Sequence, residues 1–268
     1  MFDTPSPNPL IVDFFGSPGS GKTHISSLVA EHLRARGIST LVLRERLFPK
    51  RFTREWFASR FGTLLWMVLH PIHTWQLRCA IAASQQQLLA DRKRFRLAWI
   101  RTCERVSRLK SNHRIVLVDH GLAQLVWAIG YGANRSVWSG VIKRFAPLMT
   151  LADLTIVVDV SSATAMTRLR RRGQHQGKTS RLEQEDLSNE EVLANVEELE
   201  RQVIDLLNTV ADANCRLVRF NNDHEQQDGE AIGRLANAIE LLLKNAEDCP
   251  AKFVSTYLTE STSKITIE

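Results

Sequence analysis

The sequence is poor in cysteine and contains no long apolar run. None of its four cysteines pairs with another in the C-x-x-C spacing, and no histidine cluster accompanies them. A cysteine-based metal centre and a disulfide framework are therefore not expected, whereas free thiols in a reduced compartment are. The longest apolar run, Leu64–Leu69, is far shorter than the roughly 20 residues that cross a bilayer.

The N-terminal residues 1–9 also lack the features of an export signal. They are polar and rich in proline, with neither a basic start nor an apolar centre. Together with the free thiols, this favours a protein of the cytoplasm.

Acidic residues are outnumbered by basic ones, 29 to 35, which gives a net charge of +6. This excess suits nucleotides, nucleic acids or an anionic membrane surface, and charge alone does not separate these partners. No recognised nucleic-acid-binding module occurs, so nucleic acid is not the expected partner. A chain of 268 residues, 44% of them hydrophobic, is long enough for one sizeable α/β domain and short for two.

Apolar runs along the chain predict the strands of a parallel sheet. The first run, Leu10–Phe15, stops at a glycine-rich turn, and Thr23–Arg36 then has helical spacing up to Gly37. This order is typical of a parallel sheet with crossover helices. Further strands are predicted at Ile38–Leu43, Ile115–Asp119, Leu154–Val160 and Arg216–Phe220.

Helical patterns separate these strands. Residues 74–110 have the composition of one long helix or two abutting helices, and Ala163–Arg172 is expected to end at Gly173. Other helices are predicted at Leu122–Ala128, Val137–Leu148, Glu190–Val210 and Glu230–Lys244. The sequence thus predicts one three-layer α/β/α domain over residues 1–246 with about five parallel strands. Residues 247–268 form a tail whose composition is compatible with disorder.

A phosphate-binding motif, the P-loop, follows the first predicted strand. It matches G-x-x-x-x-G-K-[ST] without a mismatch. The glycines let the backbone N–H groups point at phosphate oxygens, and the next helix presents its positive end to them. Lys22 would reach the β- and γ-phosphates, and the Thr23 hydroxyl would serve Mg²⁺. The nucleotide-binding residues are Gly16, Ser17, Pro18, Gly19, Ser20, Gly21, Lys22 and Thr23.

An acid ends the predicted strand at Asp119. A carboxylate at the end of a strand parallel to the P-loop strand usually binds Mg²⁺, directly or through water. It can also act as a base. Asp119 could instead cap the next turn. Asp159 ends another strand, but Ser161 and Ser162 follow it, which is typical of a helix start.

Basic residues without any acid occupy the stretch after the fourth predicted strand. A loop carrying several arginines can close over a nucleotide and stabilise the transferring phosphoryl group. A solvated helix face or a nucleic-acid patch would have the same charge. The residues are Arg168, Arg170, Arg171, Arg172, Lys178 and Arg181.

Four segments, in chain order, resemble thymidylate-kinase-type members of the nucleoside monophosphate kinase group. They are the P-loop, Val42–Glu45 with its arginine–glutamate pair, Val116–His120, and the stretch from Asp159 to Glu185. The last is similar to that group's strand, helix, lid and arginine–apolar–glutamate sequence. The resemblance covers roughly residues 10–222.

The resemblance implies ATP and Mg²⁺ as cofactors, with Thr23 and Asp119 on the metal. It implies a helical acceptor subdomain at about 46–112 and a lid at about 173–187. The catalytic residues that it implies are Lys22, Asp119, Arg168, Arg172 and Arg181. Its acceptor-binding residues, on shorter matches, are Arg44, Glu45, Arg92 and His120.

The chain departs from the resembled group at three places. Pro18 stands where the group has an acid, Arg46–Phe48 replace Pro-Gly-Gly, and His120 replaces an arginine. All three lie on the acceptor side, whereas the donor-side residues are kept. The resemblance therefore implies phosphate transfer to a different acceptor, and thymidylate is not assigned.

The basic, aromatic segment over residues 50–75 has three open interpretations. It could form a pocket for a phosphorylated or sugar-bearing acceptor, with arginine for the anion and tryptophan for the ring. It could lie on a membrane surface. It could also be an amphipathic helix that packs into the core.

The function expected from the sequence is an ATP-dependent phosphotransferase. Its acceptor would be a nucleoside monophosphate or another phosphorylated or hydroxylated small molecule. The alternative is a nucleotide-binding switch that transfers nothing. The sequence leaves a homodimer open.

Overall fold

The protein is described here from a computed structural model. The structure describes residues 9–44, 54–108, 113–149, 152–176, 190–214, 216–223, 229–248 and 265–267.

A parallel sheet forms the centre of the fold. Its described strands are β1 (Leu10–Phe15), β2 (Thr40–Leu43), β3 (Ile115–Val118), β4 (Leu154–Asp159), β5 (Arg216–Asn221) and β6 (Ile265–Ile267). Their order across the sheet is β2-β3-β1-β4-β5-β6, and every pair is parallel. β1 therefore lies between β3 and β4. The carboxyl ends of these neighbouring strands meet at one edge, where ligands bind in open α/β sheets.

Helices cover both faces of the sheet. They are α1 (Lys22–Ala35), α2 (Arg54–Leu69), α3 (Pro71–Ala83), α4 (Leu89–Arg108), α5 (Leu122–Gly132), α6 (Arg135–Val141), α7 (Ser162–Gln176), α8 (Glu190–Asn214) and α9 (Gly229–Asp248). A 3₁₀-helix, Ile142–Leu148, follows α6. The three-layer α/β/α architecture predicted from the sequence is confirmed.

The side chains of β1 alternate between the two faces of the sheet and so contribute to both layers of the core. Leu10, Val12 and Phe14 pack with α1 and α9, whereas Phe15 faces the opposite layer, built from α4, α5, α8 and the 3₁₀-helix. Successive side chains of a strand point to opposite faces, so an apolar run buried on both sides supplies both layers. Trp99 and Phe145 are fully buried in the second layer, with ring centroids 5.6 Å apart.

The expected end of α7 at Gly173 is wrong. The helix continues through Gly173 to Gln176. A glycine inside a helix costs about 1 kcal/mol relative to alanine, but it does not by itself end the helix. Gly37, in contrast, has a φ of 77° just after α1 and ends that helix as predicted. Residues 177–189, which hold most of the predicted lid, lie outside the described residues.

Of the stretch 74–110, the described residues 74–108 lie in two helices, which is one of the two expected arrangements. α3 and α4 are separated at Ser84–Leu88, where Gln85 has a φ of 48°. The Gln86 side chain holds this break by donating to the carbonyl of Ile129 at 2.8 Å. Within the stretch predicted as a tail, residues 265–267 form β6 beside β5.

Candidate active site

The P-loop connects β1 to α1 in a tight left-handed turn. Gly19 and Gly21 have φ values of 91° and 87°, which other residues rarely adopt. A Cβ on Gly19 would lie 2.4 Å from the carbonyl oxygen of Ala165, and one on Gly16 would lie 2.7 Å from that of Val158. Both conformation and space therefore require glycine at Gly19, whereas conformation favours it at Gly21 and space requires it at Gly16. The loop is closed against the end of β4 and the start of α7.

Lys22 begins α1 and folds back over this loop. Its Nζ donates to the carbonyl oxygens of Gly16 and Ser17 at 3.2 and 3.5 Å. Burial lowers the pKa of Lys22 to about 8, and Arg172 acts in the same direction, while Asp119 opposes it. A buried ammonium that donates to carbonyl oxygens can exchange them for anionic oxygens, as a phosphate-binding lysine must.

Thr23 and Asp119 meet at the mouth of the loop. The Thr23 hydroxyl donates to Oδ1 of Asp119 at 3.0 Å, although 96 residues separate them. Asp119 directly follows β3, which pairs with β1, so the sheet order brings the two residues together. A hydroxyl and a carboxylate are the hard oxygen ligands that Mg²⁺ takes beside nucleotide phosphates. These residues fit a magnesium nucleotide. The buried Ser20 Oγ in the cradle, which has no partner in the described structure, fits it too.

Arg168 and Asn222 hold the loop from its other side. The guanidinium of Arg168 donates to the carbonyl oxygens of Ser20 and Asn222 at 3.4 and 2.9 Å. The amide of the buried Asn222 donates to the same Ser20 oxygen at 2.6 Å. The P-loop backbone is thus fastened to α7 and to the end of β5.

Comparison with known proteins agrees with this geometry. No family model matches the sequence. A curated thymidylate kinase from Roseiflexus sp. (strain RS-1) is 31% identical over 166 residues, which are 61% of this chain and 65% of the relative. The chain has an α/β fold with a P-loop, and its similarity to a thymidylate kinase extends over those 166 residues.

The similarity to the Roseiflexus protein spans less than two thirds of that relative's length. A solved structure of deoxyadenosine kinase from M. mycoides with bound dATP covers 86% of this chain and 99% of its own. Its sequence identity is 16% and its TM-score is 0.47.

The predicted basic residues lie in different environments. Arg168 lies against the P-loop backbone, as described above, rather than in a loop over it. Arg172, one turn further along α7, is exposed and close enough to affect the pKa values of Lys22 and His120. Lys178 and Arg181 lie outside the described residues.

Only some of the predicted acceptor-side residues lie near Lys22 and Asp119. His120 follows Asp119, and burial lowers its pKa, with Lys22 acting in the same direction. Arg44 is exposed after β2 and donates to Ser27 Oγ on α1. Arg92 lies in the first turn of α4, and its buried Nε has no partner in the described structure. Glu45 lies outside the described residues.

Sequence reasoning missed Glu200 on α8. Its Oε1 accepts a hydrogen bond from the backbone N–H of Ser17 at 3.3 Å. Burial raises the pKa of Glu200 to about 6, and the nearby Asp159 adds to this effect. Helical periodicity assigns Glu200 only to a long amphipathic helix, so no local signal reveals a contact with a loop 183 residues away.

Asp13 was also missed, although a signal existed. It is the one acid inside the apolar run Leu10–Phe15. Its buried carboxyl group lies against the backbone N–H groups of Gly121 and Ala123 at the start of α5, and its Oδ1 has no hydrogen-bond partner in the described structure. A Cβ on Gly121 would lie 2.1 Å from Asp13 Oδ1, so only glycine allows this approach. Asp13 therefore fixes the turn that carries Asp119 and His120.

Proposed function

We propose that the protein is an ATP-dependent phosphotransferase whose acceptor is a small molecule. The observation that carries the proposal is the contact between Thr23 and Asp119 beside the buried Lys22. A cation, a hydroxyl and a carboxylate at one P-loop mouth are the set that phosphoryl transfer uses. The similarity to a curated thymidylate kinase supports the same reaction class.

Bound ATP with Mg²⁺ would supply the transferable phosphoryl group. Lys22 neutralises charge on the β- and γ-phosphates, and Thr23 and Asp119 hold the metal side. Arg172 adds positive charge at the open side of the site, where charge develops on the phosphoryl oxygens. The acceptor oxygen forms a bond to phosphorus as the bond to the leaving ADP oxygen breaks.

The acceptor class proposed is a nucleoside monophosphate or another small molecule bearing a phosphate or a hydroxyl. Arg44, Arg92 and His120 are the proposed acceptor-side residues among those described, because all three lie in segments that resemble acceptor-binding segments. A cytoplasmic location belongs to the same proposal, since the reaction draws on ATP and the chain carries free thiols at Cys79 and Cys103.

Transfer of labelled γ-phosphate to a panel of nucleoside monophosphates, nucleosides and phosphorylated sugars tests the proposal. The wild-type chain should label at least one acceptor, and Lys22→Ala should lower that rate by about 10²–10³-fold. Lys143→Ala, which removes an exposed lysine from the 3₁₀-helix, is the matched control and should keep full activity.

Hydrolysis of ATP without labelling of any acceptor would contradict the proposal and would favour a nucleotide-dependent switch. Circular dichroism and thermal unfolding of Lys22→Ala would show that a lost activity is not a lost fold.

A further inference from the structure

Among the side chains that the structure describes on α2 and α3, seven large apolar ones are exposed together. The most exposed are Ile72, Phe61 and Val68, at 72%, 69% and 67%. The α2 members repeat with the spacing of a single helix face, and the other two add the first turns of α3. We call this surface the α2–α3 apolar face: Phe61, Leu64, Leu65, Val68, Leu69, Ile72 and Trp75.

The opposite side of α2 is firmly packed, so the exposure is not the result of a loose helix. Trp66 is only 8% exposed and stacks on His70 with ring centroids 4.4 Å apart. Gly62 brings the α2 backbone against the side chains of Glu104 and Arg108 on α4. One side of α2 thus packs against the protein, while leucine, phenylalanine and valine on its other side face solvent. Contiguous apolar surface of this kind marks an interaction site.

Positive charge borders the apolar face, and negative charge is absent from it. Arg60 is exposed one turn before Leu64, and Arg78 is exposed one turn after Trp75. The sequence has no aspartate or glutamate between Glu55 and Asp91. An apolar surface bordered by arginines complements a surface that is apolar inside and anionic outside.

We propose that the α2–α3 apolar face docks onto an anionic lipid bilayer, with Arg60 and Arg78 at the lipid phosphates. The contact lies in the bilayer interface rather than across it. None of the helices in the described part of the chain is both long and apolar enough to span a membrane. Pro71 also divides the apolar segment into two helices.

A second copy of the chain fits this face less well. A two-fold interface brings the same patch of both subunits together. It would gather Arg78 of two chains beside a segment, residues 56–90, whose sequence contains no aspartate or glutamate. An anionic lipid surface meets the same arginines with opposite charge.

Vesicle flotation of the full chain tests the proposal. Binding is expected to vesicles of phosphatidylcholine with about one third phosphatidylglycerol, and not to phosphatidylcholine alone. Affinity should fall by about fivefold for each of Arg60→Gln and Arg78→Gln. The double variant Leu64→Gln/Val68→Gln should abolish binding. Leu241→Gln, which replaces a leucine of 59% exposure on α9, is the matched control and should bind normally.

Fluorescence quenching is a second measurement, and it does not depend on whether the variant Leu64→Gln/Val68→Gln folds. Brominated lipid in anionic vesicles should quench the wild-type emission, and Trp75→Phe should remove most of that quenching. Trp138→Phe, at a tryptophan of 3% exposure, should leave it in place.

Absence of binding to anionic vesicles would overturn the proposal, as would equal loss of binding in Leu241→Gln and in the double variant. A dimer that Leu64→Gln/Val68→Gln dissociates, without vesicle binding by the wild type, would assign the face to a second copy instead. These outcomes do not depend on phosphate transfer.

Discussion

Oε1 of Glu200 accepts the backbone N–H of Ser17 at a distance of 3.3 Å. The contact places a carboxylate from α8 at the first turn of the P-loop, on the same peptide segment whose carbonyl oxygens hold Lys22. Glu200 also lies near Lys22 and Asp159. A negative charge at this point would attract the Lys22 ammonium and repel the phosphates of a nucleotide.

Glu200→Gln is therefore expected to bind ATP more tightly at pH 7.5, by about tenfold. The amide keeps a hydrogen-bond acceptor for Ser17 and removes the charge. The wild-type affinity should rise as the pH falls through about 6, where Glu200 takes up a proton, and the variant should lack this step. Titration calorimetry between pH 5 and 8 measures both curves, and parallel curves would contradict the prediction.

Asp119→Asn should raise the Mg²⁺ concentration needed for half-maximal phosphate transfer and lower turnover by about 10²-fold. The reason is that the amide offers a weaker ligand than the carboxylate that now meets the Thr23 hydroxyl. Thr23→Ser keeps that hydroxyl and should retain most activity, whereas Thr23→Val should resemble Asp119→Asn. Initial rates over a magnesium series make the comparison, and an unchanged magnesium dependence in Asp119→Asn would remove the residue from the metal site.

Arg168→Ala and Arg172→Ala should have different effects, although one helical turn separates them. Arg168 fastens the loop through Ser20 and Asn222, so its loss should weaken nucleotide binding and lower the free energy of unfolding by about 1–3 kcal/mol. Arg172 is exposed at the open side, so its loss should lower turnover more than nucleotide affinity.

Separate measurements of nucleotide Kd, kcat and Tm distinguish the two variants. Arg170→Ala, at an exposed position of the same helix, serves as the control for lost charge. Equal losses of affinity and turnover in Arg172→Ala would instead assign Arg172 to ground-state binding.

Asp13→Asn should change how stability depends on pH. Burial raises the pKa of Asp13 from 3.8 to about 7 in the folded protein. The folded state thus binds more protons than the unfolded state between these values, and wild-type stability falls as the pH rises through that window. The asparagine variant cannot ionise, so its stability should be flatter there and should exceed that of the wild type at pH 8 by about 2–4 kcal/mol.

Chemical unfolding at pH 5 and at pH 8 checks this sign. Asp13→Ala is the companion variant, because it removes the acceptor for Gly121 and Ala123 and should be destabilised at both pH values. A wild-type stability that rises from pH 5 to pH 8 in parallel with Asp13→Asn would contradict the prediction.

The elements that were predicted well are those that local pattern defines. β1 was expected at Leu10–Phe15 and lies there, because an apolar run that stops at a glycine-rich turn has few other conformations. The predicted end of α7 was wrong. Glycine often ends a helix, but Gly173 lacks the positive φ that a helix-ending glycine adopts.

The contacts between distant segments could not be predicted from local sequence pattern. A helical pattern shows that Glu200 lies on an amphipathic helix, but not which loop it meets. Arg168 belongs by composition to a basic cluster, yet its partners Ser20 and Asn222 follow from strand order.

The sequence by itself determined the P-loop and the parallel sheet and predicted Lys22, Thr23 and Asp119 as site residues, because motif spacing and periodicity are local properties of the chain. Only the tertiary structure decided that Thr23 reaches Asp119 and that Glu200 reaches Ser17. It also decided that the apolar segment after Arg60 keeps one face exposed. These relationships depend on which strands pair and which helix faces are covered, and no window of neighbouring residues contains that information.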